Sequence, residues 1–177
     1  MKRFRLVALA VSAALGVFGL ASRQTAVAAT ATSTFTVQAT VVSSCTIATT
    51  GITFGSYDPV VANHTTPLDA NGTVTVACTS GAATTVGMNQ GTNQAATSTA
   101  ALPKRQMASG ATNRVSYDLY QDSLRTTVWG DVGSGAAMTY NSTTMAAQTF
   151  NIYGRMTAGQ DVATGAYTDT VTATIQF

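Results

Sequence analysis

The sequence predicts an all-β sandwich, and three observations support that prediction. Of the 177 residues, 33 are Thr and none is Glu. Thr is β-branched and favours strands, whereas Glu is a common helix residue. Apolar and polar residues alternate with period two in short runs separated by turn residues, and no segment carries an apolar stripe of helical period. About seven or eight short strands at this spacing are typical of a sandwich rather than a helical bundle.

The N-terminus has the pattern of a secretory signal peptide. Three basic residues lie within the first five, residues 6–21 are largely apolar, and Ala26-Val27-Ala28 supplies small residues for cleavage. We predict that residues 1–29 are removed and the rest is exported; an uncleaved membrane anchor is the alternative. Cleavage would leave five basic residues against seven Asp. The resulting net charge of −2 argues against nucleic-acid binding.

Cys45 and Cys78 are the only cysteines. In an oxidising compartment the simplest account is one disulfide, which would restrict the unfolded chain by roughly 3–4 kcal/mol. Metal binding is the alternative, but the single histidine, His64, sits in a loop bounded by Gly, Pro and Asn. The sequence also lacks a phosphate-binding glycine loop and a Cys/His metal spacing. We therefore predict a disulfide and no cofactor.

The strands are predicted from the alternation, in chain order. The first covers residues 34–41, in which Phe35, Val37, Ala39 and Val41 share one face. Asn71-Gly72 is predicted to form a hairpin turn that opens the third strand. Residues 89–100 and 133–144 are predicted to be loops of small and polar residues. The other predicted strands are 52–54, 73–78, 84–88, 115–120, the short pair 128–129, 150–154 and 167–177.

The two ends of the predicted sandwich are complementary. The last strand runs to Phe177, so we expect its sheet edge to be uncovered. The first strand begins close to the predicted cleavage site, so we expect a mobile tail. If the tail of one copy fills the edge of the next, the product is a head-to-tail polymer. The alternative is that residues 34–41 pair within their own chain.

Several segments together resemble the spore coat protein U domain, a secreted family that includes subunits of archaic, Csu-type chaperone–usher pili. The resemblance runs from about residue 33 to the end of the chain. The segments that carry it are Ser44-Cys45-Thr46, 52–58, 74–79, Arg105-Gln106-Met107, 115–122, Val128-Trp129-Gly130 and 165–177.

The resemblance implies an incomplete immunoglobulin-like β-sandwich that is completed by a donor strand from a neighbouring subunit. A periplasmic chaperone would lend a strand first, and at an outer-membrane usher the N-terminal extension of the next subunit would replace it. On this sequence the extension would be residues 30–42 and the sandwich residues 43–177. The inserted side chains would be those of Phe35, Val37, Ala39 and Val41. The edge of the acceptor groove, also the chaperone contact, would carry Val171, Ala173, Ile175 and Phe177.

The favoured function is therefore structural: a non-enzymatic pilus subunit, joined to copies of itself or to related pilins, at the cell surface in adhesion or biofilm. Two alternatives remain open, a self-complete secreted coat or surface protein and a carbohydrate-binding module that uses Tyr120 and Trp129. Against the module, we expect Tyr117 and Trp129 to pack in the core. Arg105 is a candidate for an ion pair with a nearby aspartate.

Overall fold

A computed structural model describes residues 25–177, and within that range the ordered elements are all strands. Thr40–Phe177 form one compact unit. The strands are β1 (Cys45–Thr50), β2 (Leu68–Cys78), β3 (Ala83–Met88), β4 (Arg105–Ser109), β5 (Asn113–Tyr120), β6 (Met138–Asn141), β7 (Gln148–Met156) and β8 (Ala173–Gln176). Most of the predicted signal peptide, residues 1–24, lies outside the described residues. No helix in the described range is long and apolar enough to cross a membrane.

The strands form two antiparallel sheets. One has five strands in the order β1-β2-β7-β5-β4, and the other has three in the order β6-β3-β8. Their facing side chains build one apolar core, to which β5 contributes Val115, Tyr117 and Leu119. Trp129 lies outside the strands but is fully buried, and its Nε1–H donates to the Val86 carbonyl at 2.8 Å. The predicted all-β sandwich is confirmed.

A disulfide joins Cys45, the first residue of β1, to Cys78, the last residue of β2. The two residues are also register partners in the sheet. The predicted disulfide is therefore confirmed. It fixes an edge strand, β1, to the one strand with which it pairs.

The first predicted strand does not form. Residues 25–44 contain no strand, and Phe35, Val37, Ala39 and Val41 are all exposed. Alternation shows that a segment suits one face of a sheet, but a strand also needs a neighbour with which to exchange backbone hydrogen bonds. A strand over residues 34–41 therefore stays a prediction, which requires such a neighbour.

The predicted hairpin turn at Asn71-Gly72 is wrong, because both residues lie inside β2, where Gly72 is the register partner of Ile152. The glycine serves a close approach instead. A Cβ on Gly72 would lie 2.8 Å from the Thr50 carbonyl oxygen and 2.8 Å from Ile52 Cγ1. Only glycine leaves room there for the chain that follows β1.

Three further differences concern strand extent. β4 was not predicted, and β6 lies inside the segment 133–144 that was predicted to be a loop. The predicted strand 167–177 pairs as a strand only over Ala173–Gln176, with one isolated bridge at Thr168. Residues 52–54 are in no strand, although Ile52 and Phe54 pack against the core.

Arg155 on the outer face of the large sheet lies between two aspartates with different surroundings. Its register partners are Asp69 on β2 and Asp118 on β5. Arg155 donates to both carboxylate oxygens of Asp69 at 2.8 Å, and this hydrogen bonding lowers the pKa of Asp69. Within residues 25–177 the ion pairs involve Asp69 and not Asp118, and burial raises the pKa of Asp118.

The two aspartates should therefore affect stability with opposite sign. The ionised form of Asp118 is disfavoured by folding, so it costs stability as pH rises from about 4 through its raised pKa. Asp69 stabilises above about pH 4, and that contribution is lost as pH falls through its lowered pKa. We expect Asp118→Asn to raise the melting temperature at pH 7 and Asp69→Asn to lower it, with both differences shrinking at pH 3. Thermal unfolding followed by circular dichroism tests this; shifts of the same sign at pH 7 would contradict it.

Candidate functional site

A cavity of about 920 Å³ opens between the two sheets, and we call it the groove. Its first wall is residues 49–57 and its second wall is residues 162–173, of which all but Thr172 line the cavity. Its floor is made of core side chains from β3, β5 and β7: Met88, Val115, Tyr117, Leu119, Ile152 and Met156. The groove therefore opens directly onto the hydrophobic core.

The first wall is the chain that leaves β1. Its apolar side chains, Ile52 and Phe54, are half-buried, and the Phe54 ring meets the Tyr117 ring edge-on with centroids 6.0 Å apart. Two glycines of the large sheet make room for this wall. A Cβ on Gly154 would lie 2.9 Å from the Phe54 ring, as a Cβ on Gly72 would meet Ile52. Beyond Thr50, the last residue of β1, the wall therefore rests on the sheet by side-chain packing, without strand pairing.

Tyr57 anchors the far end of the first wall. Its hydroxyl donates to the Thr157 carbonyl at 2.9 Å and accepts from the Gln160 N–H at 2.9 Å. The Gln160 side chain in turn bonds both backbone groups of Ser116, with its Oε1 accepting at 2.6 Å and its Nε2 donating at 2.9 Å. These bonds tie the end of the wall to β5 and to the loop after β7.

The second wall has few backbone bonds. Thr168 exchanges two of them with Ala108, at 2.8 and 3.0 Å, and the Thr172 carbonyl accepts from Asn89 at 3.0 Å. Regular pairing begins only at β8, which is hydrogen-bonded to β3 alone among the described strands. β1 likewise pairs with β2 alone. Of the edge strands β1 and β8, only the ends line the groove, Thr49 and Thr50 of β1 and Ala173 of β8, and the outer N–H and C=O groups of edge strands can accept another strand.

Of the four residues predicted for the groove edge, two line the groove in the structure and two do not. Val171 and Ala173 line the groove. Ile175 is half-buried against the core, and Phe177 is 57% exposed; neither lines the groove. The alternation predicts that all four share one face along the groove. From Ala173 onward, however, the chain pairs with β3 as part of β8.

Three of the residues predicted for the donor strand, Phe35, Val37 and Val41, are among the most exposed large apolar side chains of residues 25–177. Phe35 is 87% exposed and Val37 is 82% exposed. Sequence reasoning missed the first wall and the floor as parts of a site. The alternation of Ile52 and Phe54 is a signal for that wall, although alternation by itself predicts only a strand.

Tyr120 and Trp129, the residues of the alternative sugar-binding module, do not form an exposed aromatic surface. Trp129 has no exposed area, so it cannot stack on a ligand. Tyr120 is partly buried, and its hydroxyl lies 3.4 Å from Asp118 Oδ2. The described residues contain no group of three or more His, Cys, Asp or Glu side chains that could hold a metal ion.

Arg105 corrects another expectation. It was a candidate for an ion pair with an aspartate, but it is fully buried and donates to backbone carbonyls. Its Nε bonds the Asn89 carbonyl at 2.8 Å, and its Nη2 bonds those of Met88 and Trp129 at 2.7 Å each. Burial lowers the pKa of the guanidinium. Local sequence gave no sign of this burial, because the accepting carbonyls come from other segments.

The comparisons with known proteins agree with this architecture. The sequence profile of the Spore Coat Protein U domain matches residues 31–174. The chain is 37% identical over 175 residues to Protein U of Myxococcus xanthus, covering 95% of this chain and 97% of that protein. This chain belongs to the Spore Coat Protein U domain family.

A solved structure shares the fold. It is the crystal structure of the CsuC–CsuE chaperone–tip adhesion subunit pre-assembly complex from archaic chaperone–usher Csu pili of Acinetobacter baumannii. The match has a TM-score of 0.54 and 21% identity, and it covers 78% of this chain. This chain spans only 40% of the matched chain, so the likeness concerns the fold of that part and not the whole of that protein.

The close packing of the first wall predicts an effect at Gly72. A Cβ there would push on Thr50 and Ile52, so Gly72→Ala should destabilise the protein by about 1–3 kcal/mol. Gly51→Ala is the matched control, because nothing lies within 4 Å of a Cβ at Gly51. Urea unfolding measures both, and equal losses in the two variants would contradict this account of the wall.

Proposed function

We propose that this protein is a non-catalytic structural subunit of a surface pilus, in which the N-terminal arm of one copy, residues 30–42, fills the groove of the next. The observation that carries the proposal is the groove itself: an opening onto an apolar floor, beside the ends of two edge strands, β1 and β8. A strand added there would bury the floor and pair with free backbone groups in one step.

The arm has the chemistry that this groove requires. Phe35, Val37 and Val41 are exposed, would lie on one face of a strand, and would each contribute about 1.5–3 kcal/mol on burial. Backbone hydrogen bonds would add roughly 0.5–1.5 kcal/mol each. Ala39 would face a shallower part of the groove. Dissociation would require the groove to open again, so the polymer would persist kinetically.

The proposal extends to handling during export. Residues 1–29 would be removed, and residues 43–177 would form the pilin domain. A periplasmic chaperone would cover the groove until an outer-membrane usher exchanges it for the arm of the next copy. The fold shared with a subunit from a chaperone–subunit complex supports this, because an open apolar floor needs cover in transit. The assembled fibre would serve adhesion or biofilm at the cell surface.

A second candidate is a coat or surface protein that functions without polymerising. The family description, a spore coat domain, favours it. In that case residues 34–41 would complete the sandwich of their own chain. The two candidates differ in one observable property, the presence of strands exchanged between copies.

A charged substitution in the arm should distinguish the two candidate functions. Val37→Asp would place a carboxylate in an apolar groove, where an unpaired charge is strongly disfavoured, so we expect loss of polymer with the monomer still folded. Val61→Asp is the matched control: Val61 is 77% exposed and lies outside both the arm and the groove lining. Cells that also produce the chaperone and usher are examined by negative-stain microscopy, and the protein by light scattering.

Deletion of residues 30–41 should give the same result as Val37→Asp. Normal polymer from either variant would refute the proposed function. An unfolded Val37→Asp monomer would instead place that side chain in the core of its own chain, as the second candidate requires.

A further inference from the structure

Asp169, on the second wall, collects hydrogen bonds from a loop distant in sequence. Its Oδ1 accepts from the Thr92 N–H at 3.0 Å, the Thr92 hydroxyl at 2.8 Å, the Asn93 N–H at 3.2 Å and Asn93 Nδ2 at 3.1 Å. Its Oδ2 accepts from the Tyr117 hydroxyl at 2.7 Å. One carboxylate therefore joins the second wall, the floor of the groove and residues 92–93.

The loop is shaped to bring the carboxylate close. Gly91 has φ +79°, a conformation that glycine adopts readily, and a Cβ there would collide with Asp169 Oδ2. Asn89 adds two bonds to the wall, since its N–H donates to the Thr172 carbonyl at 3.0 Å and its Oδ1 accepts from the Thr172 N–H at 2.9 Å. The buried Arg105 holds Asn89 in turn through the bond to its carbonyl.

We call residues 89–93 together with Arg105 the brace. None of its residues lines the groove. The brace therefore bonds the second wall without filling the groove, although no described strand pairs with residues 169–171. Because the brace already fixes the second wall, binding of a partner strand does not have to order that segment.

We propose that Asp169 is a positioning residue for strand insertion, which holds the second wall in its acceptor geometry before the donor strand binds. This inference rests on the proposed function and names the residue on which acceptance depends. Its physical basis is preorganisation, because ordering a segment in advance removes that cost from the binding step.

The pKa of Tyr117, the floor residue that donates to Asp169, agrees with this role. Burial, and then the hydrogen bond to Asp169, raises the pKa of Tyr117, so its hydroxyl stays protonated and keeps donating over the physiological range. Tyr117→Phe removes this one bond and keeps the ring in the core.

The test measures acceptance of a donor peptide, in the Val37→Asp protein so that the grooves stay free of arms. A fluorescent peptide of residues 30–42 is titrated and followed by polarisation, and hydrogen exchange reports on the amides of residues 168–172. We expect Asp169→Ala to weaken peptide binding by about tenfold or more and to speed exchange in 168–172 by a similar factor. Tyr117→Phe should show a smaller change in the same direction.

Asp122→Ala is the matched control. Asp122 accepts backbone bonds from Thr126 and Thr127 within its own loop, at 3.1 and 2.7 Å, and does not line the groove. The Asp122→Ala protein should be less stable but should bind the peptide with unchanged affinity. If Asp169→Ala fails to fold, Asp169→Asn and Tyr117→Phe replace it.

The outcomes separate the two proposals. Peptide that fails to bind the Val37→Asp parent would overturn the proposed function. A parent that binds, together with Asp169 variants of equal affinity or variants that lose only melting temperature as Asp122→Ala does, would overturn the positioning role alone.

Discussion

The rest of this structure depends on one groove between its sheets, which opens onto the hydrophobic core. The apolar floor under the groove includes Tyr117, Ile152 and Met156, and the segments on either side are not paired with each other. In a complete sandwich a strand across this gap would cover the floor and pair with both walls. Here each wall must be held by other means, and the contacts that do so are spread over distant parts of the chain.

The two walls are stabilised differently. The first wall rests on Gly72 and Gly154 by close packing and is anchored by Tyr57, while the disulfide fixes the strand that leads into it. The second wall depends on polar contacts to Asp169 and Thr172. The residues of the brace that bond this wall do not line the groove, so they leave its face free. A fixed frame around an open groove is what strand addition needs.

Period-two alternation predicted the fold class well because it reports directly on which side chains face a core. It correctly placed Tyr117 and Leu119 on one buried face. The Asn-Gly turn signal failed at Asn71-Gly72, since turn chemistry is local whereas the need for glycine comes from Thr50 and Ile52. The brace could not be predicted at all: Thr92 and Asp169 are 77 positions apart, and nothing in either neighbourhood marks the other.

The most direct test of the account is whether copies are joined by trapped strands. Protein recovered from the cell surface is run on a denaturing gel with and without prior heating. The account predicts a ladder of multimers in the unheated lane that collapses to one band on heating, because extraction of an inserted strand has a high barrier. A single monomer band in both lanes, from folded protein that needs no chaperone, would contradict it.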